Sequence, residues 1–272
     1  MSPSPTTSPD TVLFIHGLWV TPHSWADWRK HFEGLGFKTL APGWPGVGDK
    51  TPAELRADGS SIAGTDAAAV LAHYEEVIRG LDKPPVIIGH SFGGAFTQVL
   101  ISKGLGAAGV AVDSATVKGI PDLPISTIRS AFGVLGNPLN FGKAVPFTPK
   151  QFKYAFGNTL TDEASQAAWE EFAIPAASKV LFNGAAAQLP NTVFKVDFKN
   201  PDRAPLLFLG GGRDHVVPAK VSKKNAAKYQ PAADYKEYLT KSHFIVGEPG
   251  WEEVVKDVSD WVVAQVGSPV TA

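Results

Sequence analysis

The sequence predicts an α/β fold, a mostly parallel sheet of about six strands with helices on both faces. Three observations carry this expectation. Short runs of Val, Ile, Leu and Phe alternate with amphipathic stretches through both halves of the chain, the rhythm of strand–helix–strand crossovers. Several runs are apolar throughout, as suits a sheet covered on both faces. Finally, residues 84–95 (PPVIIGHSFGGA) lead one such run into a helix through a single tight turn of the form G-x-S-x-G, the pattern of a nucleophile elbow.

Composition bounds the problem. The 272 residues suffice for one large α/β domain with an inserted subdomain. A net charge of −1, from 25 basic and 26 acidic residues, makes no electrostatic case for nucleic acid or an anionic membrane. The absence of cysteine excludes disulfides, thiolate metal sites and a cysteine nucleophile. Residues 1–10 (MSPSPTTSPD) are polar and proline-rich, and read as a disordered tail rather than a signal peptide. No apolar run reaches membrane-spanning length, so a cytoplasmic protein without membrane contact is expected.

In chain order, residues 11–15 (TVLFI) form the first strand and His16-Gly17-Leu18-Trp19 the loop at its C-terminal end. Residues 22–35 read as a helix with Trp25, Trp28 and Phe32 at helical spacing, ended by Gly34 and Gly36. Residues 37–40 make a short strand, followed by a proline- and glycine-rich loop to Lys50. Residues 61–81 are expected to be a helix, with Val70, Leu71, Tyr74, Val77, Ile78 and Leu81 on one buried face. The elbow strand and its helix come next, then a strand at 109–112 ending in Asp113-Ser114.

The rhythm breaks near Lys118. From 118 to 203 the chain is rich in proline, glycine and aromatics, with short helices expected at 148–156, 162–172 and 176–187. This segment reads as a helical cap inserted into a core made of residues 11–117 and 204–272. The alternation resumes with a strand at 206–209, a helix at 221–229, a strand at 235–239 and a closing helix at 251–262.

A serine hydroxyl needs a base within hydrogen-bond reach, and the base needs a partner to fix its tautomer. In open parallel sheets such groups gather at the C-terminal strand ends. Ser91, Asp214 and His243 meet that criterion, in the order Ser, Asp, His described for the elbow. Asp113, at the end of the strand after the elbow, competes with Asp214 for the acid position. His16 reads as a structural residue of its loop, and His90 as pointing away from the pocket. Trp19 and Trp44 are candidate pocket residues that equally fit a core. No metal-binding motif or P-loop is present, so neither metal nor cofactor is expected.

Four segments together resemble the α/β-hydrolase superfamily over nearly the whole chain. They are Phe14-Ile15-His16-Gly17, Gly89-His90-Ser91-Phe92-Gly93-Gly94, Gly212-Arg213-Asp214-His215-Val216-Val217-Pro218 and Ser242-His243-Phe244. The resemblance implies Ser91 as nucleophile, His243 as general base and then acid, and Asp214 as its orienting carboxylate. It also implies an oxyanion hole from the backbone N–H groups of Leu18 and Phe92. The chain departs from the fuller family pattern in leaving little room for two antiparallel strands before the His-Gly strand. The expected activity is hydrolysis of a carboxylic ester, or a related carbonyl bond, of a small hydrophobic substrate. The other readings are a ligand-binding receptor on the same fold, and acyl transfer or cofactor-free peroxide chemistry by the same serine.

Overall fold

The computed structural model describes residues 8–269. Its strands are β1 (Thr11–Ile15), β2 (Lys38–Leu40), β3 (Val86–His90), β4 (Ala108–Val112), β5 (Ala144–Val145), β6 (Ala176–Ala177), β7 (Leu206–Gly211) and β8 (Asp234–Tyr238). The α-helices are α1 (Ala26–Gly34), α2 (Pro52–Ala57), α3 (Ala67–Arg79), α4 (Phe92–Ser102), α5 (Ile125–Leu135), α6 (Pro149–Ala155), α7 (Asp162–Phe172), α8 (Ser178–Ala185), α9 (Ala219–Lys228) and α10 (Trp251–Val266). Six strands form one sheet in the order β2-β1-β3-β4-β7-β8, every neighbouring pair parallel.

The chain leaves β1 for β2 on one side and returns to β3 on the other. The strand order therefore reverses between β1 and β3, and open parallel sheets bind ligands outside the carboxyl ends of strands at such a reversal. The loop of His16 to Leu18 leaves β1 there, and the turn of Ser91 leaves β3. Period-2 alternation divides the core. Val12, Phe14, Val86 and Ile88 pack with Trp25, with Trp28 and Phe32 of α1 and with Val254 and Val258 of α10. Leu13, Ile15 and Ile87 pack on the other face with Val70 and Tyr74 of α3 and Phe96 and Val99 of α4.

Several boundaries differ from the sequence expectation for local reasons. Residues 1–7 of the expected tail lie outside the described residues. Ser8, assigned to the same tail, is buried, and the Asp10 carbonyl accepts from the Lys38 N–H at 2.8 Å, so the folded body includes both. The helix expected from residue 22 opens as a 3-10 turn, Pro22–Trp25, before α1. The helix expected from residue 61 starts only at Ala67, where the Asp66 carboxylate caps it by accepting from the Ala69 N–H at 2.9 Å. Ser61 and Thr65 instead donate to the carbonyls of Gly46 and Pro45, at 2.7 and 3.0 Å, and tie that stretch to the preceding loop. Helix α2 was not anticipated, although Thr51-Pro52-Ala53-Glu54 spells its capping box.

Between β4 and β7 lie α5 to α8 and the antiparallel pair β5–β6. Neither α5 nor that pair was anticipated, and no helix or strand occurs between Ala186 and Pro205. The segment is pinned to the loop after β1 by the Ile174 N–H, which donates to the Trp19 carbonyl at 2.9 Å. The Arg56 guanidinium of α2 supplies a second tie, donating to the carbonyls of Trp169, Glu170 and Ala173 at the end of α7.

Candidate active site

Ser91 is the N-cap of α4 with φ 57° and ψ −119°, a conformation L-residues rarely adopt. Strand and helix impose it: the Ser91 N–H donates to the Val112 carbonyl of β4 at 2.9 Å, while its own carbonyl accepts from Gly94 and Ala115. A serine at an N-cap ordinarily spends its hydroxyl on the helix N–H groups. Here it makes no such bond, and Ser91 lines a cavity instead. The glycines around it are sterically required. A Cβ on Gly89 would lie 2.1 Å from the Gly93 carbonyl oxygen, and one on Gly93 the same distance from that of Ile15. A Cβ on Gly17 would approach the Ser91 Cβ to 3.1 Å, which places the loop after β1 directly against the serine.

His243 lies in the loop after β8 and is completely buried. Its Nδ1–H donates to Asp214 Oδ2 at 2.6 Å, leaving Nε2 buried without a partner. Asp214 Oδ1 accepts from the N–H groups of Val216 and Val217 at 2.6 and 2.8 Å. Asp113 has φ 43°, accepts one N–H bond, from Gly211 at 2.7 Å, and has one buried oxygen without a partner. Burial pushes both carboxyls upward, and for Asp113 the neighbouring Asp214 adds to the effect. Asp214 has three N–H donors and Asp113 one, so Asp214 is the better placed of the two to hold the negative charge. Desolvation pushes His243 down to about 3, so its imidazole is held neutral.

Three other histidines bond backbone carbonyls. His90 is not among the residues lining the cavity at Ser91, but its Nε2–H donates to the His243 carbonyl at 2.8 Å, and the two rings lie 4.6 Å apart. His215 turns toward the inserted segment and bonds the Tyr154 carbonyl at 2.8 Å. His16 accepts the Trp44 N–H on Nε2 at 3.1 Å, and its Nδ1–H donates to the Gly17 carbonyl at 2.8 Å. Burial pushes the His16 pKa from 6.5 down to about 4. Between these values the unfolded chain binds a proton that the folded state refuses. Stability therefore falls as pH is lowered through that window, by up to about 3 kcal/mol from this residue. His16→Asn is expected to flatten the fall in urea midpoint between about pH 7 and about pH 4.5. A variant that loses as much as the wild type over that interval would remove His16 as the cause.

The cavity at Ser91 has a volume of about 350 Å³. Its walls are apolar, including Trp19, Phe92, Ala131, Leu181 and Val217, with the mouth at α5. Trp19 stacks on Phe147 at 4.7 Å. Trp44 is not among the residues lining this cavity: it is buried, stacked on His16 at 4.9 Å and edge-on to Phe96, and belongs to the core. The Leu18 N–H donates no hydrogen bond among the described residues. That of Phe92 opens α4, where no intrahelical acceptor exists.

Sequence reading missed Glu248. This buried carboxylate accepts from the Ser242 N–H at 2.7 Å and from the hydroxyls of Ser242 and Thr159, fastening the His243 loop to the inserted segment. It lies on no strand end and in no motif, so spacing carried no signal for it. His90, Asp113 and His243 each offer one ligand atom within 4.8 Å of the others. In each histidine one ring nitrogen is bonded, His243 to Asp214 and His90 to the His243 carbonyl, and the other has no partner.

The comparisons with known proteins agree with this architecture. The family model of the alpha/beta hydrolase family matches residues 12–257. The chain is 26% identical over 259 residues to non-heme chloroperoxidase CPO-A1 of Kitasatospora aureofaciens, covering 89% of this chain and 88% of that one. In three dimensions it is similar to a pyrethroid hydrolase from Sphingobium faniae JZ-2, with TM-score 0.69, 17% identity, and 94% and 98% of the two chains covered. It is also similar to a monoacylglycerol lipase from Paleococcus ferrophilus, with TM-score 0.66, 19% identity, and 95% and 96% covered. At these identities the structural likenesses establish the fold alone. With the matched region spanning the sheet, the elbow, the acid turn and the histidine loop, the chain belongs to the alpha/beta hydrolase family.

Proposed function

We propose that the protein is a serine hydrolase that cleaves a carboxylic ester of a small hydrophobic molecule through an acyl-serine intermediate. One observation carries the reading. The Asp214–His243 bond leaves a neutral imidazole with an unpartnered Nε2, and a strained serine whose hydroxyl caps nothing lines an apolar cavity.

The steps follow from the chemistry of these groups. His243 Nε2 takes the proton from Ser91 Oγ as the oxygen attacks the ester carbonyl. The resulting imidazolium is stabilised by Asp214, and the N–H groups of Leu18 and Phe92 bind the developing oxyanion. Such donors are worth about 3 kcal/mol each. His243 then protonates the leaving alcohol, and an ester between Ser91 and the acyl group remains. Water, deprotonated by the same Nε2, releases the acid and restores the serine. Residues 118–203 act as a cap whose apolar walls select the substrate.

A second reading draws on the chloroperoxidase relative: hydrogen peroxide can replace water at the second step, releasing a peracid and free Ser91 with no redox cofactor. Product analysis of acetate with added peroxide separates the two.

The test of the main reading is a p-nitrophenyl ester series, from acetate to long acyl chains. Turnover is expected, with kcat/KM reaching a maximum at a chain that fills the cavity. Because His243 is held neutral, the acid limb of kcat/KM is expected below the free-histidine value of about 6.5. No turnover of any member would remove simple esterase activity. An acid limb above that value would remove the buried neutral base.

A further inference from the structure

We infer that the face formed by α5 and the turn after it docks on a lipid bilayer bearing anionic headgroups. The observation is a concentration of exposed apolar side chains. Leu123, Ile125, Ile128, Phe132, Leu139 and Phe141 are each 46% exposed or more, with Ile125 at 85% and Leu139 at 74%. Only Leu35, Leu189 and Leu239 are comparably exposed elsewhere among the described residues. Ile125, Ile128 and Phe132 share one face of α5, at i, i+3 and i+7. Leu139 lies beside them, because the Asn140 side chain bonds the carbonyls of Gly133 and Val134 at the end of that helix. Apolar clusters of this kind on a protein surface mark interaction sites.

Two further observations choose the occupant. Residues 123–161 contain Arg129, Lys143, Lys150 and Lys153 and not one Asp or Glu, in a chain whose overall charge is −1. Lys153 pairs with Asp162 at 3.1 Å, whereas Arg129, Lys143 and Lys150 are exposed and form no salt bridge among the described residues. The whole-chain balance hid this local excess of positive charge. Apolar side chains flanked by basic ones are what an anionic membrane surface attracts. Secondly, Leu123, Ile128 and Phe132 are at once part of this face and part of the cavity wall. A protein partner seated here would plug the cavity mouth. A bilayer would leave it facing the acyl chains and feed an apolar ester to Ser91, a route that rests on the esterase reading.

The test is co-sedimentation of the full chain with vesicles of phosphatidylcholine, alone or with about one-third phosphatidylglycerol. The wild type is expected to bind the anionic vesicles at least about tenfold more tightly than the neutral ones, and to lose that preference in about 0.5 M salt. Ile125→Asp with Leu139→Asp, at positions outside the cavity wall, is expected to abolish binding while hydrolysis of soluble p-nitrophenyl acetate is unchanged. If that variant does not fold, Lys143→Glu with Lys150→Glu is expected to remove the preference for anionic vesicles. Wild type that stays in the supernatant with both vesicles overturns the inference, as does variant binding equal to wild type. So does a wild-type dimer that the Asp substitutions dissociate, which would make the face an interface between copies. Vesicle binding is read without turnover, so failure of the esterase reading leaves this test intact.

Discussion

Ser91→Ala is expected to lower kcat for any ester the protein turns over by roughly ten-thousand- to a million-fold, with the melting temperature almost unchanged. The size follows from the role: without Oγ no acyl-serine forms, and His243 can only assist direct attack by water. The stability expectation follows from the geometry. The Ser91 hydroxyl makes no capping bond, so removing it leaves no buried partner unsatisfied. Alanine also tolerates φ 57° about as badly as serine does. Steady-state kinetics beside a thermal melt decides between the outcomes. Loss of activity at constant melting temperature assigns the nucleophile, whereas retained activity moves it to another residue. A fall in both would mean that the hydroxyl holds the elbow together.

Gly93→Ala is expected to be damaging in a different way. The new methyl would stand 2.1 Å from the Ile15 carbonyl oxygen, 2.8 Å from its carbon and 2.9 Å from the His16 oxygen. These are backbone atoms at the buried end of a central strand, so neither side can give. Relief requires the first turn of α4 to move away from β1, at a cost of about 3 kcal/mol or more. The same movement displaces the Phe92 N–H relative to the loop carrying Leu18, and a misplacement of about 1 Å at a reacting centre can cost about a hundredfold in rate. Both a lower melting temperature and a lower kcat are therefore expected. Gly34→Ala is the control, because a Cβ there meets nothing within 4 Å and the residue ends a helix. That variant is expected to melt at or slightly above the wild-type temperature. Equal melting temperatures for Gly93→Ala and wild type would show that the elbow is looser than its packing implies.

What the sequence by itself determined is whatever depends on neighbours along the chain. Apolar runs placed the four central strands β1, β3, β4 and β7, because a strand buried on both faces has no polar alternation to hide it. The elbow was legible because its glycines answer to steric demands within a few residues, Gly89 against Gly93 for example. The order of Ser91, Asp214 and His243 followed from their position at strand ends. Helix α2 was equally legible from Thr51 and Glu54 and was overlooked.

Only the tertiary structure decided what depends on residues far apart in sequence. It paired His243 with Asp214 and left Asp113 beside them with a single N–H donor. Both aspartates end strands next to each other in the sheet, so spacing alone could not choose between them. Trp19 and Trp44 looked alike as sequence, yet packing put Trp19 on the cavity and Trp44 on His16. The bond from His90 to the His243 carbonyl was not legible because its partner lies 153 residues away. Helix α5 escaped notice because its apolar residues face outward as well as toward the cavity, so no single buried stripe announced it. A periodic pattern reports burial against the molecule's own core, and this helix presents part of its apolar surface elsewhere.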